Sequence, residues 1–206
     1  MSIITWKPGT MLYPVPAVLV SCSYEGIDNI ITIAWAGTVC TNPPMVSISI
    51  RPERYSYDII KKSGEFVINV PNKNLAFATD FCGVKSGRDV DKFEVLNLTK
   101  QKASVVNVPL IKECPLSLEC KVKDIVNLGS HDMFIAEVVA VNVDDKLLDE
   151  GGKLHLDKAE LICYNHGQYC VVGKSLGKFG FSVEKKKNRK EEVNNFCLKG
   201  RNYFFN

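Results

Sequence analysis

Two neighbouring stretches carry side chains whose types and spacing suit a flat, phosphorylated ligand. In I-T-I-A-W-A-G-T-V-C-T-N-P-P, from Ile31 to Pro44, one set of alternate positions holds Ile31, Ile33, Trp35 and Val39. The other holds Thr32, Ala34, Ala36, Thr38 and Cys40. In M-V-S-I-S-I-R, Val46, Ile48 and Ile50 alternate with Met45, Ser47, Ser49 and Arg51. Successive strand residues point to opposite faces, so each stretch has an apolar face and a low, hydroxyl-bearing one. Large side chains fill both faces of a fully buried sheet; small ones leave room, and hydroxyls supply hydrogen bonds at the edge of an occupant. The same low face also suits a sheet turned to water, and residue type alone leaves both readings open.

Arg51 closes the second stretch, and Ser56 falls in the first turn of the helix expected next. Free N–H groups at a helix start, a hydroxyl and an arginine together make an anion site. A planar shelf beside a phosphate site suits a mononucleotide-like cofactor, of which flavin mononucleotide (FMN) is the first candidate.

These stretches must be held by a fold, and the chain reads as many short strands with few helices. Strands are expected at residues 17–24, 30–40, 45–51, 65–70, 116–126, 133–143, 162–165 and 169–172, from their alternation and their turn boundaries. E-G-I-D-N reads as a hairpin turn, and T-N-P-P ends the opening strand because proline cannot continue a ladder. Helices are expected over Tyr55–Ser63, closed by Gly64, and over Asn74–Phe81. The pattern predicts a mainly β fold, an antiparallel barrel with a few short helices. Residues 1–183 form the expected domain. Residues 184–206, with the run E-K-K-K-N-R-K-E-E and the aromatic tip N-Y-F-F-N, form a charged tail.

The totals exclude several classes. A net charge of +3 is too small to argue for nucleic acid, and the chain has no apolar run long enough for a membrane helix. The N-terminus lacks a basic leader, which makes the cytoplasm the expected location. There the eight cysteines are expected to be reduced and mostly small core fillers. No C-x-x-C occurs and no histidine pairs with a cysteine at ligand spacing, so no metal site is expected.

T-I-A-W-A-G-T-V-C-T-N-P-P followed by M-V-S-I-S-I-R-P-E-R-Y-S-Y closely resembles the flavin reductase-like proteins, and the flavoredoxin branch in particular. K-S-G-R-D-V-D-K-F (residues 85–93), L-G-S-H-D-M-F-I-A-E-V and G-K-S-L-G-K-F-G-F-S are similar to stretches of that branch, so the resemblance spans about residues 8–183. It implies an antiparallel Greek-key split β-barrel that binds FMN, with FAD less favoured, and that forms a homodimer with the flavin near the interface. It further implies that Thr32, Ala34, Trp35, Ala36, Thr38 and Cys40 line the flavin ring and ribityl chain. Arg51 and Ser56 would hold the phosphate, His131 would stand near the flavin or a nicotinamide, and Lys92 would touch flavin or phosphate. Many flavin reductases carry T-x-N-S-F-x-S where this chain has T-I-A-W-A-G-T. Ala34 and Trp35 thus replace a polar pair.

Two functions follow from the resemblance, beside a third, non-catalytic reading as a flavin-binding structural or sensing protein. One is an NAD(P)H-dependent flavin reductase-like oxidoreductase, with the nicotinamide bound transiently, since no G-x-G-x-x-G follows a strand. The other is an electron carrier with tightly held FMN and a redox protein as partner. On residue type alone Trp35 is equally a core side chain, Cys40 equally a filler, and His131 equally a turn residue facing water.

Overall fold

The computed structural model describes residues 2–183; the charged tail 184–206 lies outside the described residues. Residues 1–173 form one compact unit and 174–206 a second. In the described part of the second, Phe181 N–H donates to Lys178 O and Val183 N–H to Gly180 O, each at 3.0 Å.

In the first unit the strands are β1 (Val15–Pro16), β2 (Val18–Tyr24), β3 (Ile27–Ile33), β4 (Ala36–Cys40), β5 (Met45–Ile50), β6 (Glu65–Val70), β7 (Lys100–Gln101), β8 (Leu110–Ile111), β9 (Leu116–Asn127), β10 (Asp132–Val143), β11 (Ile162–Asn165) and β12 (Gln168–Val171). The helices are α1 (Tyr55–Ser63), α2 (Ala76–Val84) and α3 (Lys92–Val95), with short 3-10 turns between. Seven strands form one antiparallel sheet in the order β3-β2-β6-β9-β10-β5-β4. Its edge strands, β3 and β4, are consecutive in the chain and joined only by Ala34 and Trp35. The sheet therefore curls until its edges approach without pairing as neighbours. This is the split, Greek-key barrel expected from the sequence.

The expected single strand from Ile30 to Cys40 is two strands. Nothing in I-T-I-A-W-A-G marks a turn, yet the segment must leave β2 at one edge and join β5 at the other. Trp35 O accepts from Ser49 N–H at 2.9 Å, which fixes the crossing point. The bend switches faces: Ile33 packs in the core before it and Ala36 packs against the core after it. Strict alternation from Ile31 to Val39 thus fails, and Val39 is exposed. Residues Ile27–Asn29, read as part of a turn, belong to β3; Glu25 and Gly26 alone turn the chain, with φ of 50° and 80°.

The barrel interior is filled by one face of each strand, including Val20, Ile33, Ile48, Phe66 and Phe134, and by Tyr57, Ile59 and Ile60 of α1. Each large apolar side chain fully buried there contributes about 1.5–3 kcal/mol. Gly64 ends α1 in the left-handed region, and its N–H caps Ile60 O at 2.9 Å. A second cluster, with Leu19, Ile30, Cys82, Phe93 and Ile111, packs α2 and α3 on the outside of β2 and β3. These helices and α1 bracket the outer end of β3.

The fold explains four of the seven cysteines among the described residues. Burial pushes the Cys22 thiol up to about 12, Cys82 to about 11 and Cys120 to about 12, and it also raises Cys114. These four are buried, inert fillers.

Candidate functional site

Three side chains unusual for a core meet beside β3. Asn29, Ser56 and Lys92 are 4%, 1% and 3% exposed. Asn29 Nδ2 donates to Ser56 Oγ at 2.8 Å. Gly87 lies against the same amide, and a Cβ there would fall 2.1 Å from Asn29 Oδ1, so only glycine allows the loop after α2 this close. Lys92 enters from the first turn of α3, where the Asp91 carboxylate caps the N–H groups of Phe93 and Glu94. Its ammonium donates to Ile30 O at 2.7 Å and to Cys82 O at 2.9 Å.

Both acceptors of Lys92 are neutral. Among the described residues no carboxylate forms an ion pair with it. Burial lowers its pKa, and the nearby Arg54 guanidinium lowers it further, against an opposing effect of Cys82 and Cys22. A buried cation without a counter-charge is costly. Its surroundings are mostly positive, and the one carboxylate among the described residues lining the cleft beside it, Glu53, is paired with Arg51 at 2.7 Å. Lys92, Arg54, Lys85, Ser86, Arg88 and the start of α1 line one cleft of about 140 Å³. Arg54 is the N-cap of α1 and gives the helix no side-chain cap; Tyr57 N–H donates to Arg54 O at 3.0 Å, and Tyr55 and Ser56 of the first turn line the cleft. Arg88 lies over the Tyr55 ring at 5.2 Å and donates to Glu53 O at 3.3 Å. The chemistry of this donor set is that of a phosphate site.

A second cleft, about 170 Å³, continues from the first across Ile31 and Arg54. Its walls are the backbone bend Thr32–Trp35, Ser49, Arg51 and His131. On the far side of the same bend, Tyr13, Ala17, Thr32, Ala34, Trp35, Asp80 and Tyr164 border a third cavity. The Tyr13 ring stands 6.2 Å from Trp35 and 5.9 Å from Tyr164. A segment of small residues at a bend thus has a cationic pocket at one end and aromatic rings at the other.

The structure sorts the residues named from sequence into groups. Thr32, Ala34, Trp35, Arg51 and His131 share the second cleft; Ser56 and Lys92 lie in the first. Ala36, Thr38 and Cys40 border none of these cavities: Ala36 faces the core and Thr38 is exposed on the edge strand β4. The Thr32 hydroxyl donates to Thr79 O, which ties β3 to α2. Arg51 is half-exposed, is paired with Glu53 at 2.7 Å and lines the second cleft, whereas Arg54 lines both. Ser130 Oγ lies 2.9 Å from His131 Nδ1. Sequence reasoning missed Asn29, Arg54 and Arg88. Two of them lie inside the quoted motifs R-P-E-R-Y-S-Y and K-S-G-R-D-V-D-K-F; the third, Asn29, falls in E-G-I-D-N, where an asparagine reads as an ordinary turn residue.

Comparison with known proteins agrees with this geometry. The family profile of the flavin reductase like domain matches residues 10–173. The chain belongs to the flavin reductase-like family. An uncharacterized member from Archaeoglobus fulgidus is 35% identical over 138 residues, 67% of this chain and 77% of that one. Among solved structures, the flavoredoxin of Desulfovibrio vulgaris (Miyazaki F) superposes with a TM-score of 0.82 at 31% identity, covering 89% of this chain and 100% of that one. The flavoredoxin from Methanosarcina acetivorans does so with a TM-score of 0.80 at 27% identity, over 89% and 100%. The flavin reductase-like domain thus includes every residue of both clefts, and among the described residues no helix is long and apolar enough to cross a membrane.

Proposed function

We propose that the paired clefts bind FMN and that the protein is an oxidoreductase passing hydride or electrons from NAD(P)H through it. The observation that carries the reading is Lys92: a buried ammonium with two neutral acceptors, beside Arg54 and the start of α1, is completed by a phosphate dianion. Ser56, Ser86 and Arg88 supply further donors to the same phosphate. The ring would lie along Thr32–Trp35, with backbone groups there replacing the side chains of the polar pair found in many relatives. Arg51 and His131 stand at its edge, and Tyr164 and Tyr13 close the far end.

FMN, when bound, supplies the redox chemistry. The chain's residues hold and shield it: Trp35, Leu128, Met11, Leu12 and Val15 wall a cavity of about 450 Å³ that also reaches His131. A nicotinamide entering there meets an apolar wall and one imidazole, which suits transient rather than tight binding. The N-terminal segment leaves Ile3, Ile4, Trp6 and Leu12 exposed, and Leu12 lines this cavity, which supports a homodimer. Light scattering at twice the chain mass is the expected result.

A second reading keeps the cleft and changes the donor. The likeness to two flavoredoxins favours an electron carrier that holds FMN tightly and exchanges electrons with a redox protein. The purified protein is expected to be yellow or to turn yellow with FMN, and NADH or NADPH under argon is expected to bleach it. A yellow protein that neither nicotinamide bleaches selects the carrier. A protein that gains no colour with FMN overturns both readings.

A further inference from the structure

The cysteines outside the core tell a different story from the buried four. Cys163 on β11 and Cys170 on β12 are direct cross-strand partners. Both are half-buried and both thiols are free. The hairpin that carries them is tight: His166 and Gly167 form its two-residue turn, with φ of 45° and 92°. Register is therefore fixed, and the two side chains must point to the same face of the ribbon.

The hydrogen-bond pattern defines their geometry further. Val172 N–H donates to Leu161 O at 2.9 Å, which marks Leu161 and Val172 as a hydrogen-bonded pair. Such pairs alternate along an antiparallel ladder, so Cys163 and Cys170, two positions on, form the next one. Opposed residues of that kind have Cα atoms about 5.5 Å apart, inside the 4.4–6.8 Å range of disulfides. The Cys163 thiol is raised by burial first and then by the charge of Cys170, as expected of two sulfurs close together.

We propose that Cys163 and Cys170 are a reversible dithiol–disulfide couple that reacts with a thiol-derived disulfide. One thiolate attacks a sulfur of the substrate R–S–S–R, forming a mixed disulfide and releasing one RS⁻, which takes up a proton. The second thiolate then attacks the protein sulfur of that mixed disulfide, closing the Cys163–Cys170 bond and releasing the second RS⁻. The protein gives up two electrons and two protons, and the substrate leaves as two thiols. Excess thiol reverses both steps. β11 is the middle strand of a three-stranded sheet, paired on its other edge to β1 with Pro16 opposite Cys163. A bridge across a hydrogen-bonded pair twists the β11–β12 ribbon against that hold, and the strain makes the bond easy to reduce, unlike a structural disulfide.

The position gives the couple a consequence. Tyr164 and Tyr169, the adjacent residues on the opposite face, both line the aromatic cavity at Trp35. Twisting the ribbon shifts the two rings, so thiol chemistry on one face reaches the cavity on the other. This inference does not depend on FMN occupying the cleft.

The test uses the full chain, first reduced and then equilibrated with glutathione over a series of disulfide-to-thiol ratios. Free thiols are blocked by alkylation, and peptides are mapped by mass. Trypsin leaves both cysteines in one peptide, Ala159–Lys174. Expected is a form of that peptide two hydrogens lighter and unalkylated, with titratable thiols falling from eight to six per chain; dithiothreitol restores both. Cys163→Ser and Cys170→Ser are each expected to hold one glutathione on the remaining cysteine instead. A peptide still doubly alkylated at the most oxidising ratio overturns the proposal. So does one linked to another cysteine, or one with glutathione on both sulfurs.

Discussion

Lys92 and Glu119 are both buried charges, and the chain treats them in opposite ways. The Glu119 carboxylate, fully buried, accepts from Ser104 N–H and hydroxyl, Val105 N–H, Val106 N–H and Asn142 Nδ2, at 2.6–3.0 Å. Burial alone would raise its pKa. The hydrogen bonds from Ser104, Asn142 and Val105 outweigh that and hold it at about 2, against an ordinary 4.5. Its charge is complete without help, and its task is to pin the loop before β8 onto β9. Lys92 has two neutral acceptors and a neighbouring cation. A charge finished by its own chain belongs to the fold, and one left unfinished in a cleft points to a ligand.

Substitutions at the two positions should therefore move different quantities. The largest effect is expected for Glu119→Gln, which replaces one acceptor oxygen by an NH₂ facing N–H donors. Denaturant unfolding should show a loss of about 2–4 kcal/mol from orphaned buried donors. FMN affinity of the folded protein should stay as it was. The same carboxylate sets an acid limit. Its pKa is lowered on folding, so its contribution is fully present above the unfolded value near 4.5 and disappears as pH falls towards 2. Glu119→Gln should flatten that part of the stability profile.

Lys92→Met comes next. It is expected to weaken FMN binding by about 1.5–3 kcal/mol, the range for a charged hydrogen bond. The rise in Tm on adding FMN should shrink accordingly. If Lys92→Met instead lowers stability alone and leaves FMN affinity intact, the contrast with Glu119 is lost. Smaller again is Arg54→Ala, expected to cost about 1 kcal/mol of FMN affinity at a half-open site. Arg51→Ala is expected to cost only a few tenths, as befits an exposed arginine already paired with Glu53. Equal losses would return Arg51 to the phosphate role its motif first suggested.

Local patterns were legible in the sequence. M-V-S-I-S-I gave β5 its faces, and Y-S-Y-D-I-I-K-K-S before Gly64 gave α1 both its ends, because alternation and a left-handed cap are written in adjacent residues. The bend at Ala34–Trp35 was not, since it is imposed by sheet closure rather than by a turn residue. The phosphate-type cleft was half legible. Ser56 is named from sequence as a helix-start hydroxyl and Lys92 through family likeness, and both line the first cleft. The convergence of Asn29, Arg54, Gly87 and Lys92 comes from β3, α1 and the α2–α3 loop, and no local spacing encodes it. The Cys163–Cys170 pairing depends on a turn of two residues, whereas the expected strands 162–165 and 169–172 leave three residues between them.

The central claim is that the buried ammonium waits for a phosphate. Parallel titrations of the flavin-free protein with FMN and with riboflavin, followed by quenching of flavin fluorescence, test it most directly. The account predicts saturable binding of one FMN per chain and riboflavin binding at least about tenfold weaker, the loss of one charged contact or more. Equal affinity for the two flavins, or no saturable binding of FMN, would contradict it.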